Sequence, residues 1–260
     1  PSENTSSRTT RMVAAELRKN LSMTSKQYRK ALSKLRARIK VVEGLMSANR
    51  WEEIEFDKIP SRAGIIYRNA FARRDLIAKK YENFAKSKDT KVNASALYPY
   101  DIAHRAMSYE MRSVPYEDTK RVMLQKYWEN LPDYYNGKQE NGIAVVDVSG
   151  SMSGQPMEVA ISLGAYIAER GHGPFANHFI TFSESPDLVE FTGVDITDKI
   201  RRAEKANWGY NTDIEAVFEL LLNTAKAKNT KREDMPERLY ILSDMEFDMA
   251  TCNNHVSNFE

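Results

Sequence analysis

The chain has one cysteine, Cys252, in 260 residues, which excludes a disulfide framework within one copy and fits a reducing compartment. No apolar run approaches the roughly 20 residues that cross a bilayer, and no apolar core follows the amino terminus, so neither a membrane span nor a secretory signal is expected. There is no Gly-x-x-x-x-Gly-Lys phosphate loop, and no Ser, Cys and His combination reads as a nucleophile with its base. His104 lacks a nearby second His or Cys and reads as a satisfied histidine rather than a metal ligand. Acids are missing altogether from Leu17 to Val42.

What is present is divided unevenly. The net charge is +2, but residues 1 to 140 carry 28 Lys and Arg against 17 Asp and Glu, whereas residues 141 to 260 carry 10 against 19. The first half is therefore the candidate for contact with a polyanion. The same split also fits two halves that attract each other.

Along the chain, residues 1 to 10 are polar and without periodicity, and a flexible segment is expected over residues 1 to 15. Residues 16 to 131 read as an all-helical, repeat-like basic domain. Thr24 and Gln27 form a capping box that opens a helix with Tyr28, Leu32, Leu35, Ile39, Val42 and Leu45 along one buried face. Lys26, Arg29 and Lys30 share another side, continued by Lys34 and Arg38, where a phosphate backbone could lie. Ser61 is expected to cap a further helix that buries Ile65, Ile66, Ala70 and Phe71 and leaves Arg62, Arg68, Arg73 and Arg74 on its surface. Helical patterning continues over residues 76 to 86, from Pro99, and over 116 to 131. Residues 132 to 142 read as the linker, where helix periodicity ends.

From residue 143 the pattern alternates between strand and helix: strands at 143–147, 179–182, 188–191 and 238–242, and helices at 156–170, 198–206 and 213–227. This is the order of a doubly wound α/β fold. The run Ile143-Ala-Val-Val-Asp147 reads as a buried strand ending in an acid, followed by Val-Ser149-Gly150-Ser151. Asp147, Ser149 and Ser151 place three hard oxygen donors around a glycine turn, a set suited to Mg²⁺, with Mn²⁺ or Ca²⁺ as alternatives, and not to zinc.

The spacing Asp-x-Ser-x-Ser after an apolar strand resembles the metal-ion-dependent adhesion site of von Willebrand factor A domains. The resemblance implies two further ligands, Thr212 in Gly-Tyr-Asn-Thr-Asp and Asp244 in Leu-Tyr-Ile-Leu-Ser-Asp. Hydroxyls of Ser149, Ser151 and Thr212 would bind directly, and Asp147 and Asp244 directly or through water. Ser183, Glu184, Glu246 and Asp248 are candidates for the rim. A partner's carboxylate or phosphate would complete the coordination.

A second resemblance covers residues 16 to 250. Trp51-Glu-Glu-Ile54, Pro60-Ser-Arg-Ala63, Leu97-Tyr-Pro-Tyr-Asp-Ile102, Trp208-Gly-Tyr-Asn-Thr-Asp213 and Ser243-Asp-Met-Glu-Phe-Asp248 resemble an uncharacterised family of plants, fungi and large phages, in which a helical region precedes a von Willebrand A domain. That family is distantly similar to the Ro autoantigen (TROVE) proteins, which bind small non-coding RNA. The resemblance implies a TROVE-like helical domain and a von Willebrand A-like domain from 143 to 260. That fold carries two more strands after the one near Asp244, so the sequence is expected to be cut short. An exposed edge on 238–242 would otherwise invite self-association.

These readings lead to the expectation of a non-catalytic binding module. It would take a small structured RNA through its basic helices and a divalent metal, as a ribonucleoprotein component. The alternative is an adaptor or assembly protein whose metal captures an acidic residue of a protein partner. Cytoplasmic location is expected, in the host cytoplasm if the chain is phage-encoded, with no membrane partner.

Overall fold

The computed structural model describes residues 2–138, 141–206 and 213–244. The chain packs as two compact units, one running to Ile59 and the other starting at Pro60.

In the first unit, α1 (Arg8–Asn20) starts on a Ser7 cap whose hydroxyl accepts from the Thr10 N–H. It begins inside the stretch that shows no periodicity, and the Ser7 hydroxyl satisfies one of its unpaired first-turn N–H groups. The expected capping box opens α2 (Ser25–Arg38): Gln27 N–H donates to Thr24 Oγ1 at 3.3 Å, and Thr24 N–H donates to Gln27 Oε1 at 2.8 Å. The long helix expected through Leu45 is broken. Lys40 takes φ +47°, and α3 (Val42–Ser47) begins afresh. Tyr28, Val42 and Leu45 are buried, while Leu35 and Ile39, at the end of α2 before the break, are 60 % and 65 % exposed.

In the second unit, α4 (Ser61–Arg73) and α5 (Asp75–Lys86) pack together, and α7 (Thr119–Glu129) packs on both. Ser61 does not cap α4. Its hydroxyl instead donates to Asn93 Oδ1 (2.8 Å) and accepts from Ala96 N–H (3.3 Å), tying the 93–96 loop to the helix. Two surface assignments are reversed: Ile66 is 56 % exposed and Arg68 is buried. Arg68 follows Ile65 by three residues and precedes Phe71 by three, so it shares their helix face. The helix expected from 116 starts at Thr119 instead, on an Asp118 cap.

The second half of this unit is a mixed sheet with order β3-β2-β1-β4: β1 (Gly142–Val146), β2 (His178–Thr181), β3 (Leu188–Glu190) and β4 (Arg238–Leu242). β1 pairs parallel with β2 and β4, and β3 adds antiparallel to β2. β1 is central and buried along its whole length, as its apolar run requires. One sheet face carries α8 (Gln155–Arg170), whose Gly164 sits so close that a Cβ would lie 2.5 Å from Val146 Cγ2. The other face packs Ile143, Val145, Ile180 and Phe182 against Val217 and Leu221 of α10 (Ile214–Ala227).

The helices before the sheet pack on the helices of the α/β half. α6 (Pro99–Met107) packs on α8 and on α9 (Ile196–Glu204), and α7 also packs on α9. Arg121 of α7 forms a buried two-pronged pair with Asp195, the α9 cap, at 2.8 and 2.5 Å. Among the described residues no helix is long and apolar enough to cross a membrane.

Candidate metal centre

Asp147 is the first residue past β1. Its N–H bonds Leu242 O at 3.0 Å, so the β1–β4 ladder carries one step beyond the strand and fixes the carboxyl at the sheet edge. The side chain has no solvent exposure. Oδ1 accepts from Ser149 N–H at 2.8 Å, and Oδ2 accepts from the Ser243 hydroxyl at 2.6 Å. Asp147 thus holds the following loop from behind and places its charge under it.

The loop itself is a single 3-10 turn, Gly150–Met152, closed by Met152 N–H on Ser149 O (3.0 Å) and anchored by the buried Met152 side chain. Ser153 seals it with bonds from N–H and hydroxyl to Gly150 O, at 3.2 and 2.8 Å. Gly154, at φ +84°, then turns the chain into α8, a conformation that favours glycine.

The turn leaves Ser149 Oγ and Ser151 Oγ 3.1 Å apart. Neighbouring ligands of octahedral Mg²⁺, each about 2.1 Å from the ion, lie roughly 3 Å apart, so the hydroxyl pair has the spacing of adjacent ligands. Among the described residues no three His, Cys, Asp or Glu side chains gather in one place. The donors present are hard oxygens, chiefly hydroxyls, which fit Mg²⁺ better than zinc. With the ion bound, Ser149 and Ser151 would hold it, Asp147 would supply charge, and a ligand's anionic oxygen would find a Lewis acid.

Of the five sequence candidates the structure gathers Asp147, Ser149 and Ser151. Asp244 is exposed at the same sheet edge, one residue beyond Ser243, and Thr212 lies outside the described residues. Ser243 was missed, although it stands beside Asp244 in the motif. A serine at a strand end gives no signal until the neighbouring strand shows what it faces. Ser183 is buried at the end of β2 and Glu184 is exposed, while Glu246 and Asp248 lie outside the described residues.

Beside the loop, a cleft of about 490 Å³ is lined by Met107, Ser149, Ser153, Met157, Glu158 and Glu204, among others. Burial pushes the Glu204 carboxyl above its usual range and Glu158 adds to this, while Arg112 and Arg201 oppose it. His104 is satisfied: its Nδ1 lies 2.7 Å from Glu158 Oε2.

In the first unit, Lys26, Arg29, Lys30, Lys34 and Arg38 are all exposed along α2. Arg29 Nε donates to Ser25 O at 3.3 Å, and among the described residues none of the five pairs with a carboxylate.

Residues 2–138 match the model of a domain of unknown function (DUF2828). The chain belongs to the DUF2828 family. Beyond the DUF2828 match, residues 141–260 match a second domain of unknown function (DUF7788). The chain is also similar to an Acanthamoeba polyphaga mimivirus protein described as uncharacterized protein L728, with 34 % identity over 266 residues. The match takes in 96 % of this chain and 45 % of that relative, so the chain spans about half the relative's length. No solved structure matches the chain.

Proposed function

We propose that the chain is a non-catalytic binding module of ribonucleoprotein type, which grips RNA through the basic face of α2 and carries a divalent ion at the Ser149–Ser151 loop of a von Willebrand A-like domain. The observation that carries this reading is the row of α2 cations. Lys26, Arg29, Lys30, Lys34 and Arg38 stand in solvent with no carboxylate partner among the described residues, so their charge is free to neutralise phosphates. Support for the metal comes from the 3.1 Å hydroxyl pair over a buried Asp147. Support for the domain assignment comes from the parallel β2-β1-β4 core with helices on both faces and the loop at its carboxyl edge, where such sheets bind ligands.

The test is fluorescence anisotropy with a labelled RNA stem-loop, titrated across salt concentrations in Mg²⁺ and in EDTA. Wild-type affinity should fall as salt rises. The triple variant K30E/K34E/R38E should bind at least about tenfold more weakly and show a shallower salt slope. Equal binding by the triple variant sinks the reading. For the metal, Mg²⁺ should raise the melting temperature of the wild type but not of Asp147→Ala.

The exposed hydroxyl pair at the sheet edge favours one second reading, an adaptor whose metal takes a partner's Asp or Glu. Under that reading a protein partner is retained in Mg²⁺ and lost both in EDTA and in Asp147→Ala, while RNA is absent from the same sample.

A further inference from the structure

The second unit carries a surface that the metal loop and α2 do not explain. It is the 3-10 turn Tyr109–Ser113, between α6 and α7. Tyr109 is 84 % exposed, an unusual position for a large ring. The Arg112 guanidinium sits 5.9 Å from the centre of that ring. Glu110, next to Tyr109 in the turn, gathers three donors: Arg73 Nη2 at 2.6 Å, Lys120 Nζ at 2.9 Å and Asn69 Nδ2 at 3.2 Å. One carboxylate therefore stands among two cations and an amide, while a third cation stands by an exposed aromatic ring. The buried Met111 pins the turn to the unit, so this arrangement is preformed.

We propose that the Tyr109 turn is a docking platform for single-stranded nucleic acid, in which a base stacks on Tyr109 beside Arg112 and the adjoining phosphate reaches Arg73 and Lys120 in competition with Glu110. The charge favours this occupant, because Arg73, Lys120 and Arg112 outnumber Glu110 and the Glu204 that interacts with Arg112, and attract an anion. The ring favours it too. Bases stack on an exposed tyrosine face without regard to sequence, and an arginine alongside adds a cation–π contribution. A tyrosine so exposed contributes little to folding, so its removal tests binding without disturbing the fold. The proposal rests on the RNA reading above and names the site for its unpaired bases.

The experiment is anisotropy with a labelled 12-nucleotide single-stranded RNA of mixed A and U. The probe is measured against wild type, Tyr109→Ala, Tyr109→Phe, Glu110→Gln and the α2 triple variant. A labelled 12-residue poly-glutamate peptide is run in parallel. Expected are a loss of about tenfold in Tyr109→Ala, near-wild-type binding in Tyr109→Phe, and a few-fold gain in Glu110→Gln as the competing carboxylate is removed. A 4-thiouridine version of the probe should crosslink to the peptide holding Tyr109. Wild-type affinity in Tyr109→Ala together with weak binding by the α2 variant overturns the platform and leaves the RNA reading standing. Loss in Tyr109→Ala with full binding by the α2 variant keeps the platform and removes α2. No RNA binding by the wild type defeats both. Tyr109-dependent binding of poly-glutamate as tight as RNA makes the site an acidic-peptide site and overturns the proposal.

Discussion

α2 and α7 are both rich in basic residues, and their cations have opposite fates. Along α2, Lys26, Arg29, Lys30, Lys34 and Arg38 are all in solvent. In α7, Arg121 and Lys126 are buried at 3 % and 9 % exposure. Arg121 takes Asp195, and Lys126 donates to Phe84 O, Ser87 O and Thr90 Oγ1 at 3.0, 2.6 and 2.7 Å. α7 lies against α5 and α9, which supply those acceptors, while α2 meets no carboxylate among the described residues. Helix charge therefore marks a binding face most plainly where the tertiary structure leaves it unanswered. α7 shows the same kind of charge serving as internal scaffolding.

The largest expected effect comes from breaking the buried side of this contrast. Arg121→Ala leaves the buried Asp195 without its cation and with only the cap bond from Asp198 N–H, and should lower the unfolding free energy by about 3–5 kcal/mol in urea denaturation. Lys126→Met keeps the bulk but removes the donor from three acceptors, and should cost about 1–3 kcal/mol by the same measurement. On the exposed side, K30E/K34E/R38E should change stability by no more than about 0.5 kcal/mol per substitution while weakening RNA binding. A large loss of stability there would mean that α2 is scaffolding as well.

Glu110 gives the smallest effect and carries a pH signature. The hydrogen bond from Lys120, with Arg73 adding, holds its carboxyl below the usual carboxylate range. A depressed folded value means that the contribution is present above the ordinary carboxylate pKa and is lost as pH falls through the lowered one. Because the side chain is 43 % exposed, solvent screening limits this contribution to roughly 0.5 kcal/mol. Urea midpoints measured from pH 6 to pH 3 should show a slightly shallower acid loss in Glu110→Gln than in wild type.

Much of the α/β half was legible in the sequence. β4 runs from Arg238 to Leu242 as expected, and β1, β2 and β3 fall within a residue of their expected bounds, because each is a short apolar run between turn residues. The loop Asp147-x-Ser149-x-Ser151 was legible for the same reason, since its residues are local in the chain. The helical half was read less well. Leu35, Ile39 and Ile66 were expected inside and lie outside, while Arg68 was expected outside and lies inside. Periodicity gives the faces of a helix but does not say which face meets a neighbour, and the positive φ at Lys40 that separates α2 from α3 leaves no mark in the apolar pattern. The Ser243 bond to Asp147 joins residues 96 positions apart, and no local pattern announces it.

The sequence by itself determined the succession of helices and strands in the α/β half, the basic first half and acidic second half, and the hydroxyl loop after β1. All of these depend on residues within a turn or two of one another. The tertiary structure decided which cations are answered, which carboxylate is buried, and that the helices before β1 pack on α8 and α9. Those outcomes depend on distant partners such as Asp195 for Arg121 and Ser243 for Asp147, and burial and pairing are properties of the packed chain rather than of any segment of it.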